Sequence, residues 1–278
     1  MVKDIIEPQQ AIDYSEGQKE AAYMILGEIV NLLNEHKDDI LIIGGWVPAL
    51  LDPDGDHIGS IDVDVLLNQT HIRKANSYMN IKRILEKNGY HRHEKKYFTY
   101  VKQVSVDGIT YNVDVDFLSG KYGGDGGEVS KHVDGLKVLP ATGGNFAFEF
   151  PATDVKIEYK RPDGALDVGH VNVISVVPYL VMKAAALGRG KPKDAYDIYY
   201  TVKNYPSGVK ELAKEFYPYR DRGLVREMIT KLSEKFASEN HAGPADIVSF
   251  LDIWDEEESA DIKQDAFQQI DYLVSTIA

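Results

Sequence analysis

Behind Ser15, with Glu16 and Glu20 in the turns that follow, apolar residues recur at Ala22, Leu26, Ile29, Val30 and Leu33. That spacing predicts a capped amphipathic helix over roughly 15–36. The next apolar run lies inside DDILIIGG, is rich in branched residues and closes on paired glycines, which predicts a buried strand entering a tight turn. WVPALL then reads as a short helix and DPDGDHIGS as a loop. In IDVDVLL the side chains alternate, so Ile61, Val63 and Val65 share one face of a strand while Asp62 and Asp64 share the other.

Thr70 heads a predicted helix to about Lys87, and KYFTYVKQVSV and ITYNVDVDFL flank Asp107-Gly108. That dipeptide between alternating runs signals a hairpin. Its second arm sets Tyr111, Val113, Val115 and Phe117 against Asn112, Asp114 and Asp116, which makes a second face with two carboxylates. SGKYGGDGG is too rich in glycine for regular structure, and NFAFEF and VKIEYKR extend the strand character to about 161. From about Val173 the pattern turns helical: VVPYLVMKAAAL, KDAYDIYYTVKNY, GLVREMITKLSEKF, ADIVSFLDIW and a closing helix striped by Ile262, Ala266, Ile270, Leu273 and Ile277. The fold class expected is α/β (α+β), with a small mixed-sheet domain over 1–168 and an all-helical domain over 169–278 that closes over it to form a cleft.

Composition narrows the chemistry. Across 278 residues there is no cysteine, which excludes thiol catalysis, iron–sulfur clusters and thiolate zinc sites, so any metal must be held by oxygen or imidazole. With 44 acidic against 31 basic residues the net charge is −13, a surface that repels nucleic-acid backbones unless its cations are gathered locally. The opening MVKDIIEPQQ lacks the basic flank and apolar run of a signal peptide, and no stretch approaches the roughly 18 apolar residues of a membrane span. The expectation is a cytoplasmic protein with no membrane partner.

Candidate chemistry lies in an ordered set of parts: strand, Gly44-Gly45, short helix, Gly59-Ser60, then Asp62 and Asp64 on one strand and Asp114 and Asp116 on a later one. Backbone N–H groups at a glycine turn entering a helix can approach a polyphosphate. Carboxylates two apart on a strand point the same way, and a third from a neighbouring strand completes an oxygen-rich site for hard cations. Taken alone, an Asp-x-Asp on a strand is usually a solvated face; the glycine turn and the second acidic pair tip the balance towards a metal site. His91, Arg92 and His93 read as a solvated strand, and Asp52, Asp54 and Asp56 fail as a calcium loop because His57 and Val63 stand where glycine and glutamate are needed.

These parts resemble the DNA polymerase β-type nucleotidyltransferase superfamily. Within it, the GGW opening, Ser60-x-Asp62-x-Asp64 and the later Lys183, Arg189, Lys193, Asp194 and Asp197 look most like the AbiEii-type toxin nucleotidyltransferases; the likeness spans about 40–200. It implies an enzyme that moves an NMP from an NTP to an acceptor hydroxyl with two Mg²⁺. Asp62, Asp64 and Asp116 would be catalytic and metal-binding, with Asp114 on the same face as an alternative third carboxylate. Gly44, Gly45 and Ser60 would hold the phosphates, Lys183 would reach the triphosphate as a catalytic residue, and Lys193 and Asp194 would contribute to substrate binding. Trp46 stands where the signature carries serine. Read from its residues alone, the Lys193–Asp197 spacing is also that of an ordinary helical ion pair. The likeness implies tRNA or another RNA as acceptor and a cognate antitoxin as partner. An aminoglycoside-type antibiotic nucleotidyltransferase and an inactive nucleotide- or partner-binding module are the alternatives.

Overall fold

A computed structural model describes residues 2–3, 8–68, 77–120 and 135–278. The chain is mixed α/β and divides into two compact units. The first takes Ser15–Pro53 and Gly59–Ser175 with the N-terminal strand; the second takes Asp54–Ile58 and Val176–Ala278 with residues 8–14.

The first unit holds strands β1 (Val2–Lys3), β2 (Ile40–Ile43), β3 (Val63–Leu67), β4 (His91–Arg92), β5 (Thr99–Val106), β6 (Ile109–Gly120), β7 (Leu139–Ala141), β8 (Thr153–Lys160) and β9 (Leu166–Val173). They form one mixed sheet in the order β4-β5-β6-β3-β2-β9-β8, with β1 and β7 pairing on stretches of β6. Helix α1 (Glu16–Leu32) is capped by Ser15 and buries Ala21, Ala22, Met24, Ile25, Leu26, Gly27, Ile29 and Val30. Each of the buried Met, Ile, Leu and Val side chains among these contributes about 1.5–3 kcal/mol of transfer free energy. Gly27 lets α1 approach the sheet closely, since a Cβ there would lie 2.3 Å from the ring of Tyr159. Shorter helices are α2 (Val47–Leu51), α3 (Ser77–Lys87) and α4 (Gly144–Ala147). The second unit is helical: α5 (Val176–Ala186), α6 (Pro192–Lys203), α7 (Val209–Phe216), α8 (Gly223–Lys235), α9 (Ala242–Leu251) and α10 (Glu256–Ile277).

The expected hairpin is present, with Asp107 and Gly108 both at positive φ as a two-residue turn of this hand requires. The stripe on α10 buries Ala266, Ile270, Leu273 and Ile277 and leaves Ile262 half-buried. Three elements differ from expectation. NFAFEF is not a strand: Gly143 at positive φ starts the helical turn α4, which buries Phe146 and brings Gly144 against Gly120. Helix α1 ends at Leu32, and Asn34–Asp39 continues as a tighter 3₁₀ segment. Residues 166–173, unassigned in the sequence reading, form β9, which pairs with β8 along its length and meets β2 at Val173. Thr70 and residues 121–127 of the glycine-rich stretch lie outside the described residues.

Candidate functional site

Strand β2 is buried at all four positions and delivers Gly44 to the edge of the acidic face. Gly44 adopts φ +74°, and a Cβ there would lie 1.8 Å from Asp64 Oδ2. Only glycine fits, for both conformation and space. The turn continues through Gly45 and Trp46 into α2. Trp46 braces it: the indole N–H donates to the Asp62 carbonyl at 2.8 Å, and the ring packs on Gly59 and Tyr23. The residue in the serine position of the signature therefore ties the glycine turn to the backbone of the Asp-x-Asp strand.

Pairing decides which carboxylates meet. Asp64 is in register with Ile43 on one side and with Asp116 on the other, and Thr99 is in register with Asp116 across β5. Directly opposed residues on adjacent strands face the same side of a sheet. Asp116 therefore projects beside Asp64, with Asp114 two residues away on that face. Asp116 accepts a hydrogen bond from the Thr99 hydroxyl at 2.6 Å. Burial, assisted by the charges of Asp62 and Asp114, pushes its carboxyl up to about 6 against the pull of Thr99 and Lys96. Ser60 is buried and its hydroxyl donates to Asp62 Oδ1 at 2.5 Å, so it orients the first carboxylate of the pair.

Lys96, which the sequence reading passed over, also belongs to this face. Its ammonium donates to Asp114 Oδ2 at 3.0 Å. Partial burial disfavours the ammonium, but the hydrogen bond and charge of Asp114, with the charges of Asp116 and Asp62, hold its pKa above the ordinary value. The nearest sequence signal was Lys95-Lys96 just before the hairpin, and nothing in its spacing points to the acidic strand. Among the described residues, no three carboxylate or imidazole side chains are drawn together into a set able to hold a metal ion.

Lys183, Lys193 and Asp194 belong to the second unit, where they form an ion-pair cluster with Asp197. Lys183 is only 9 % exposed, and its ammonium donates to Asp194 at 2.9 Å and Asp197 at 2.6 Å. Lys193 pairs with Asp197 at 2.8 Å, the expected helical spacing, and Arg189 with Asp194 at 3.1 Å. The imidazole of His57 completes the set, with Nε2 3.0 Å from Asp197 Oδ1 and the ring stacked on Tyr196. Burial alone would raise Asp197, but Lys183, Lys193 and His57 hold it far below the usual carboxylate range. Burial likewise opposes the Lys183 ammonium, and Asp197 and Asp194 outweigh it, which holds its pKa well above the ordinary value. The ammonium expected to reach a triphosphate is thus held by two carboxylates of its own unit. His91 and Arg92 are exposed, as the solvated reading has it.

No protein-family model, no curated protein and no solved structure matches this chain.

Proposed function

We propose that this chain is a divalent-metal-dependent nucleotidyltransferase, transferring an NMP from an NTP to an acceptor hydroxyl at the face built from Gly44, Gly45, Asp62, Asp64 and Asp116. The observation that carries this reading is the contact of the glycine turn with Asp64, beside the register pair Asp64–Asp116. A backbone cradle for phosphates then lies against oxygen ligands for the cation that phosphates require.

The donor types suit such a cation, although the described carboxylates are not drawn into a set that would already hold one. The face offers hard oxygen ligands only, and Asp116 is raised in part by its carboxylate neighbours, a strain that a divalent charge relieves. A cation would have to draw Asp62, Asp64 and Asp116 inward, with Asp114 at the rim. Bound divalent ions would neutralise phosphate charge and acidify the acceptor hydroxyl. The Gly44–Gly45 backbone would seat the triphosphate, and Ser60 and Trp46 would hold the Asp62 strand in place. In the transfer the acceptor oxygen bonds to the α-phosphorus as the bond from that phosphorus to the bridging oxygen breaks; the bonding pair leaves with pyrophosphate. The proton of the acceptor hydroxyl passes to a carboxylate of this face or to solvent.

The resemblance drawn from the sequence favours tRNA or another RNA as acceptor and a toxin role with a cognate antitoxin. The net charge of −13 favours a second reading, in which the acceptor is a cationic aminoglycoside. The deciding experiment offers each of the four α-phosphate-labelled NTPs with Mg²⁺ and either total RNA or an aminoglycoside. Label should enter one acceptor class with release of pyrophosphate, and Asp64→Asn should lower the rate at least about 100-fold while the circular-dichroism melt is retained. Full activity in Asp64→Asn refutes the assignment. Mg²⁺-NTP binding without pyrophosphate release identifies an inactive binding module instead.

A further inference from the structure

Carboxylates gathered on one sheet face need a counter-charge when no metal is bound, and the fold supplies one. Lys96 sits in the turn between β4 and β5, where His93 Nδ1 accepts hydrogen bonds from the backbone N–H groups of Lys95 and Lys96 at 3.0 Å each. The Lys96 carbonyl in turn accepts from the Thr99 N–H at 3.2 Å, and Thr99 is the residue bonded to Asp116. The turn thus fixes where the lysine starts. From there its side chain reaches Asp114, which is only 9 % exposed, while remaining about half exposed itself. A long side chain with one wet flank can leave once a divalent ion takes over the counter-charge of the mostly buried Asp114, and its freed rotamers then regain entropy.

We propose that Lys96 is a tethered counter-ion that occupies the acidic face in the metal-free protein and competes with divalent cations for Asp114 and its neighbours. This rests on the metal-site reading above and adds to it a residue that sets the affinity. With Lys96 on Asp114 and a divalent ion on Asp62, Asp64 and Asp116, two positive charges would repel each other across one face, so metal binding favours release of Lys96 into solvent. The metal affinity of the site is therefore lower than its carboxylates alone would give, and Lys96 determines by how much.

The test measures Mn²⁺ binding directly, by the free-ion paramagnetic resonance signal, on EDTA-stripped full-length protein without nucleotide. Lys96→Met and Lys96→Gln should bind Mn²⁺ roughly 3- to 30-fold more tightly than the parent. Lys95→Met, which removes the same charge one residue away, should change affinity less than about twofold. Asp64→Asn should abolish the strong site in each background. Equal or weaker binding in both Lys96 variants, with Asp64-dependent binding intact in the parent, overturns the role of Lys96 and leaves the metal site standing. Absence of Asp64-dependent binding in every protein overturns the metal site and this role together.

Discussion

The residue with the least freedom is Gly44. Its left-handed φ costs any other residue about 1–2 kcal/mol, and the Asp64 carboxylate occupies the place of its Cβ. Gly44→Ala should therefore lose about 2–4 kcal/mol of stability, from backbone conformation and overpacking together, measured as a lower urea midpoint at unchanged slope. It should also impair nucleotide transfer more than the stability loss explains, because the carboxylate that must move aside is Asp64. Trp46 illustrates what spacing hides. Its position in GGW was evident, but its hydrogen bond to the Asp62 carbonyl joins residues sixteen apart and follows from the β2–β3 pairing, not from any local pattern. Lys96 was equally illegible, since its partner lies on the neighbouring strand.

Elements show a clearer split between what periodicity reveals and what packing adds. Strands β3 and β6 were readable because a half-buried strand must alternate, and α10 because a surface helix must bury a stripe. Strand β9 was missed because its sequence, LDVGHVNV, is interrupted by Gly169, and its support comes from pairing with β8 along its length and with β2 at Val173. Around α6, Lys183, Asp194 and Asp197 were visible as a spaced motif, whereas His57 joins them from a loop more than a hundred residues away. That imidazole supplies a pH test. Burial lowers its pKa below 6.5, against the opposing pull of Asp197, so below that pH the unfolded chain takes a proton that the folded one resists. Stability contributed by neutral His57 is complete above about 6.5 and is lost as pH falls, by at most about 1.4 kcal/mol per pH unit. Urea midpoints measured just below pH 6.5 should fall in the parent and fall less in His57→Phe. Asp116, with its raised pKa, has the opposite slope between about 4 and 6, and the comparison of the two proteins cancels it.

For the molecule as a whole the governing quantity is charge. A net −13 distributed over 278 residues repels itself in the folded state, and salt screens that repulsion. Raising NaCl from roughly 10 to 200 mM should raise the melting temperature by a few degrees at neutral pH, read by calorimetry in EDTA so that no divalent ion contributes. A flat or falling melting temperature would show that exposed local pairs such as Arg226–Asp221 and Lys214–Glu211, which salt weakens, outweigh the global excess. Among the described residues no helix is long and apolar enough to cross a membrane.

Sequence by itself determined the α/β class, the change to helices after about 173, the hairpin at Asp107-Gly108, and the existence of two faces each carrying paired carboxylates. All of these are local, because periodicity and turn chemistry are properties of neighbouring residues. Tertiary structure alone decided that Asp64 meets Asp116 and Gly44, that Lys96 neutralises Asp114, and that His57 joins the Lys183 cluster. Those contacts depend on strand register and chain crossing, which are set by burial of the whole core and leave no mark in the spacing of the residues they unite.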